Sequence, residues 1–139
     1  MAKPVLPPPR SGCPIGIALD LFGDRWSLLI VRDLLFGGPR SYTQLAEGGE
    51  GIASNILSER LARLEAGGII ERRQDENDRR RVNYRLTAKG IDLAPVLVDM
   101  VVWAARHEET AAPPKTVRRF EREREEVLAE LRRKWLDES

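Results

Sequence analysis

A mainly helical fold with one small β-hairpin is predicted by three observations. Apolar residues recur at helical spacing from Ile17 to Leu35 and again from Leu57 to Leu64. Two β-prone runs, 69–74 and 81–87, flank a charged tip, and an apolar segment at 91–103 precedes a charged amphipathic tail. With 139 residues, 42% hydrophobic and 32% charged, the chain suits one modest domain plus extensions and has no room for a second, enzyme-sized one. Its 23 Lys and Arg nearly cancel 22 Asp and Glu, so any attraction to an anionic partner has to come from where the charges sit.

Taken in order, residues 1–12 carry Pro4, Pro7, Pro8 and Pro9 without any period, which predicts an extended, freely moving arm. Ile17, Ala18 and Leu21 share one face of a short first helix that Gly23 and Asp24 end. Asp24 is a candidate N-cap for the next run, in which Trp26, Leu28, Leu29, Ile30, Leu34 and Leu35 form a broad apolar face before Gly37-Gly38-Pro39 stops it. Ser41 and Gln44 have capping-box spacing at the head of a short helix, and Gly48-Gly49 then turns the chain. From Ser54, the stripe Leu57, Leu61, Leu64 predicts a helix whose other faces carry Asn55, Ser58, Glu59, Ala62 and Arg63, closed by Gly67-Gly68.

The runs IIERRQ and RVNYRLT around the tip DENDRR predict a hairpin in which Val82, Tyr84 and Leu86 alternate with Asn83, Arg85 and Thr87. Thr87 is placed to cap a third long helix from Ala88, apolar around more of its circumference than a small core can cover. Beyond Pro113-Pro114, Val117, Phe120, Val127, Leu128, Leu131 and Trp135 recur every three or four residues among balanced charges, as in an exposed, ion-pair-laced amphipathic helix over 113–137. The expected organisation is an arm at 1–12, a main domain at 13–107 and this terminal helix.

Helix, capped short helix, glycine turn, polar-faced helix, hairpin is the order of a winged helix-turn-helix. The second helix of such a pair has to offer small, hydrogen-bonding side chains to base edges in a major groove about 12 Å wide. Ser54, Asn55 and Ser58 fit that need, with Glu59 beside them and Ser41 and Thr43 on the preceding short helix. Arg60 and Arg63 are long enough for a phosphate or a guanine edge, with Glu59 and Glu65 near Arg60 as alternative ion-pair partners. Arg79, Arg80 and Arg81 at the hairpin tip suit a minor groove or the phosphate backbone; the alternative is that Asp75, Glu76 and Asp78 neutralise them in a salt-bridged turn.

Cys13 and His107, each the only residue of its type, exclude an internal disulfide and a protein-built zinc site. With no nucleophile-base pair and no glycine-rich phosphate loop, no enzymatic activity, metal or cofactor is expected. The proline-rich start is unlike a secretory signal and no stretch is long and apolar enough to span a bilayer. A soluble, cytoplasmic, nucleoid-associated protein is expected.

The residues from Cys13-Pro14 through GDRWSLLIVRDLL, GIASNILSERLARLE and RVNYRLTAKG resemble the HxlR family of bacterial winged-helix regulators, which is related to the MarR family. The resemblance covers Cys13 to about His107, and the DENDRR tip is closer to the MarR type of wing. It implies transcription regulation, most simply repression, by a homodimer on double-stranded DNA with an inverted-repeat operator. The first helix and those after the wing would form the interface, burying the excess apolar surface of 91–103. It also implies that Cys13 is a candidate redox sensor, against which stands a small, packed, inert side chain. Phe22, Trp26, Val101 and Trp103 are candidates for a small-molecule effector pocket or for the dimer interface. The competing function class is a winged-helix module for protein-protein contact, which calls for an apolar or acidic recognition surface.

Overall fold

The computed structural model describes residues 6–138; positions 1–5 of the expected arm and Ser139 lie outside them. Helix α1 (Pro14–Phe22) starts with Pro14 in its first turn, where a missing N–H costs nothing. Asp24 then accepts from the backbone N–H groups of Trp26 at 2.9 Å and Ser27 at 3.1 Å, capping α2 (Ser27–Gly37) through one turn of chain. Gly38, at φ +81°, ends α2 in a conformation that disfavours a side chain.

Two residues follow as β1 (Arg40–Ser41), and the capping box forms as expected: Ser41 Oγ accepts from Gln44 N and Gln44 Oε1 accepts from Ser41 N, opening α3 (Tyr42–Ala46). Helix α4 (Ser54–Ala66) buries Leu57, Leu61 and Leu64, and Gly68, at φ +75°, turns the chain into the hairpin β2 (Ile70–Gln74) and β3 (Val82–Leu86). The sheet has three antiparallel strands in the order β1-β3-β2, with Ile70 opposite Leu86, Gln74 opposite Val82 and Arg40 opposite Tyr84.

After the wing, the single long helix expected from Ala88 is two. Thr87 Oγ1 accepts from Gly90 N to start α5 (Ala88–Ile91), and α6 (Ala94–His107) begins afresh because Pro95 lacks an N–H and its ring clashes with the carbonyl four residues back. The tail likewise divides, at Glu123 (φ −122°, ψ 37°), into α7 (Pro114–Arg122) and α8 (Arg124–Asp137).

Helix α8 is not exposed as the sequence suggested but folds back onto the domain. Val127 is buried, while Leu128, Leu131 and Trp135 pack against a core built on Val31, Leu34, Leu57, Leu64 and Ile69. This changes β3, whose outer face was expected to be solvated. Arg85 is only 5% exposed, roofed by the Trp135 ring, and its neighbour Leu86 is buried on the opposite face. On α2 Ser27, Ile30, Val31, Leu34 and Leu35 are buried, with Leu28 and Leu29 half-buried. The arm is not wholly detached either, since Leu6 is half-buried beside Gly67.

Candidate nucleic-acid interface

Helix α4 owes its outward face to the same spacing that buries its leucines. Ser54, Asn55, Ser58 and Glu59 are all exposed on its first two turns. Its N-terminus is held from α3: the Tyr42 hydroxyl donates to the Ser54 carbonyl at 3.0 Å and lies 3.4 Å from Ser58 Oγ. The connecting loop is pinned by Arg32, whose guanidinium reaches Glu50 at 2.8 Å. Tyr42 escaped sequence reasoning; its only signal is its place directly after a capping serine.

On the flank toward α1, Arg60 is fixed by Asp24 at 2.8 Å and also pairs with Glu59. Burial pushes the Asp24 carboxyl up, but hydrogen bonds from Ser27, Trp26 and Arg60 outweigh it and bring the value down to about 2. Arg63 lies on this flank as well. Its Nη2 donates to the Asp20 carbonyl at 3.3 Å and its Nε is 3.9 Å from Glu59, so it is turned from the Asn55–Ser58 surface toward the end of α1. The Glu65 carboxylate, on the other flank, takes Arg72 of β2 at 3.1 Å.

The wing tip is built by aspartates. Asp75 Oδ1 accepts from the backbone of Asn77 and Asp78, its Oδ2 accepts from Asn83 Nδ2, and these bonds, Asn77 first, hold its carboxyl below the usual range. The Asp75 N–H donates to the Arg81 carbonyl, closing the hairpin. Asp78 accepts from Arg80 N at 3.0 Å, yet the Arg80 guanidinium is 3.9 Å from it and 98% exposed. The acidic tip residues thus shape the turn more than they cover its arginines, a mixture of the two sequence alternatives. Ser41, Tyr42, Thr43, Arg80, Arg81 and Tyr84 line one open groove between the short helix and the wing. Arg79 is exposed at the tip.

The remaining candidates are scattered. Cys13 is exposed at the N-cap of α1, not packed. Phe22 is half-buried at the core margin, Trp26 lines a small recess with Asp33 and Ile52, Val101 lines a different cleft between α2 and α6, and Trp103 is 64% exposed with its ring 5.3 Å from that of His107. Among the described residues, neither the recess nor the cleft collects the four. Val96, Met100 and Trp103 instead form an exposed apolar stripe on α6, matched by exposed Ile15 and Leu19 on α1. Among the described residues no cluster of metal-ligating side chains occurs, and no helix is long and apolar enough to cross a membrane.

Residues 21–112 match the HxlR-like helix-turn-helix family. The chain is 41% identical over 88 residues to the uncharacterized HTH-type transcriptional regulator sll1512 of Synechocystis sp., covering 63% of this chain and 64% of that one. It is 42% identical over 89 residues to Mb3122 of Mycobacterium bovis, another uncharacterized regulator of this type, covering 64% of this chain and 55% of the relative; it thus spans less than two thirds of either. Among solved structures, the transcriptional regulator YodB of Bacillus subtilis in its reduced form superposes with a TM-score of 0.59 at 34% identity, over 70% of this chain and 95% of YodB, and its quinone-bound form with 0.58 at 36%, over 68% and 98%. The order of elements, the wing and these relatives agree: the chain is a winged helix-turn-helix protein that belongs to the HxlR-like helix-turn-helix family.

Proposed function

We propose that the chain is a homodimeric transcription regulator, acting as a repressor, that reads an inverted-repeat operator in double-stranded DNA. In this reading α4 enters the major groove with Ser54, Asn55 and Ser58 at base edges and Glu59 beside them, while Arg79, Arg80 and Arg81 meet the minor groove or backbone. One observation carries it: the outward side of the first two turns of α4 is exposed, small and polar, and the groove beside it joins Ser41 and Thr43 to Arg80 and Arg81. That surface is neither apolar nor uniformly acidic, which disfavours a protein-docking module. Arg63, tied to Asp20 and Glu59, is a backbone contact at most.

The apolar stripes on α1 and α6 support a dimer, because Trp103, Met100 and Val96 are a costly set to leave in water. A twofold axis through that seam would set two recognition helices about 34 Å, or a multiple of it, apart. A dimer bound across a promoter excludes polymerase, hence repression.

Control runs through Cys13, whose exposure at the mouth of α1, next to the proposed seam, suits a thiol that meets oxidants or electrophiles. YodB has been solved in reduced and quinone-bound forms. A small apolar effector is the second route, favoured by a cleft of about 340 Å³ lined by Leu29, Phe36, Met100 and Val101. Selection of random duplex DNA on the purified protein, before and after a mild oxidant, tests both levels. An enriched inverted repeat, lost on oxidation in the wild type but kept in Cys13→Ser, is the expected result. No enrichment at moderate salt contradicts the regulator reading, and equal loss in Cys13→Ser contradicts the sensor.

A further inference from the structure

Helix α8 lies beyond the residues that match the family, and its last turn touches the base of the strand that carries the wing and the exit of α2 that leads to α3. Trp135 Nε1–H donates to the Leu86 carbonyl at the end of β3 at 2.8 Å, its own carbonyl accepts from Arg85 Nη2 at 3.5 Å, and the Arg85 guanidinium sits 5.4 Å over its ring. One residue earlier, Lys134 Nζ donates to the Phe36 carbonyl at 2.6 Å, and the Glu138 carboxylate closes on Gly38, where an added Cβ would meet Oε1 at 2.8 Å. Phe36 and Gly38 are the exit of α2 into β1, and β1 delivers the cap of α3. Two ion pairs fasten the rest of α8 to the helices after the wing: Arg132 with Asp92 at 2.5 Å and Arg124 with Asp99 at 2.9 and 3.0 Å.

β3 is the central strand. From Arg81, just ahead of it at the tip, to Leu86 under Trp135 the chain makes a lever of about 16 Å at the usual rise per residue. A small rotation at Leu86 therefore becomes a displacement of several ångströms at Arg79–Arg81. We propose that Trp135 is a positioning residue for the wing: through it, α8 sets the angle between the arginine-bearing hairpin and the recognition helix. The proposal rests on the DNA-binding reading only for its consequence, since the bracing itself is a property of the free protein.

The test uses the full chain as wild type, Trp135→Ala, Trp135→Phe, Arg79→Ala/Arg80→Ala, and Trp135→Ala combined with the arginine pair. Hydrogen exchange without DNA is the first readout. Trp135→Ala is expected to speed exchange of the Asp75 and β3 amides about tenfold more than it speeds that of Leu57 and Leu61 of α4, which report only the loss of core packing, with Trp135→Phe between, since it keeps a ring but loses the N–H donor. Unchanged wing exchange, or an equal rise in α4 and the wing, overturns the proposal. Binding of a random-sequence duplex across a salt series is the second readout. Trp135→Ala is expected to lower affinity about tenfold, to flatten the salt slope by about one for each phosphate the wing no longer reaches, and to add less than about twofold once Arg79 and Arg80 are gone. Equal effects in both backgrounds would mean generalised damage, not wing positioning. Should Trp135→Ala fail to fold, Trp135→Phe carries both comparisons, with smaller expected effects. A wild type that binds no duplex would sink the DNA reading, while the exchange contrast would still decide the brace.

Discussion

At the scale of single residues, Asp24 does the most with one side chain. It caps α2 through two backbone N–H groups, binds the Ser27 hydroxyl and anchors Arg60 of α4, so one carboxylate ties the start of a core helix to α4. Because its carboxyl titrates at about 2 in the folded chain against an ordinary 3.8, it contributes stability that is fully present above about pH 4 and is lost as the pH falls toward 2. Solvent access to the pair holds that contribution to about 1–2 kcal/mol. Asp24→Asn is expected to lower the unfolding free energy by this amount at pH 7 and by little at pH 2 in denaturant titrations; equal losses at both would refute the assignment. Arg60 and Arg63 differ for reasons the sequence only half showed. Both sit on α4 near acidic groups, but the Asp24 contact spans thirty-six residues and the Asp20 carbonyl belongs to another helix, so neither partner follows from local spacing.

Elements defined by caps and periodicity were legible in the chain. The capping box at Ser41, the buried stripe of α4 and the hairpin with its tip appear where the spacing placed them, because each rests on contacts within a few residues. What was not legible depends on which surfaces meet. The alternation in β3 gives Arg85 to solvent, and only the return of α8 places Trp135 over it; β1, two residues long, has no pattern to detect. Pro95 was a local signal for the break before α6, overridden in sequence reading by the continuous apolar run around it. The packed α8 predicts that Val127→Ala, which removes a 3%-exposed side chain, costs about 1–3 kcal/mol in chemical denaturation, whereas a helix free in solvent would lose almost nothing.

For the whole molecule, two unlike surfaces are exposed: a polar one on α4 and the hairpin, with Asn55, Ser58 and the wing arginines, and an apolar one divided between α1 and α6, with Ile15, Leu19, Val96, Met100 and Trp103. A dimer closed through the second surface would present two copies of the first to one side of a duplex. Met100→Glu with Trp103→Glu is therefore expected to shift the protein to monomer in sedimentation equilibrium and to weaken operator binding at least about tenfold, since each monomer then holds a single half-site. A dimer that survives both charges would place the seam elsewhere. The central claim, that the outward face of α4 reads bases, is tested most directly by the ratio of affinities for the selected duplex and a scrambled one. For the wild type that ratio is expected to exceed about a thousand, and Asn55→Ala to lower it by about 1–3 kcal/mol, roughly five- to 150-fold, while the scrambled duplex binds as before. An unchanged ratio, or equal losses on both duplexes, would mean that Asn55 does not read a base and that α4 is not the recognition helix.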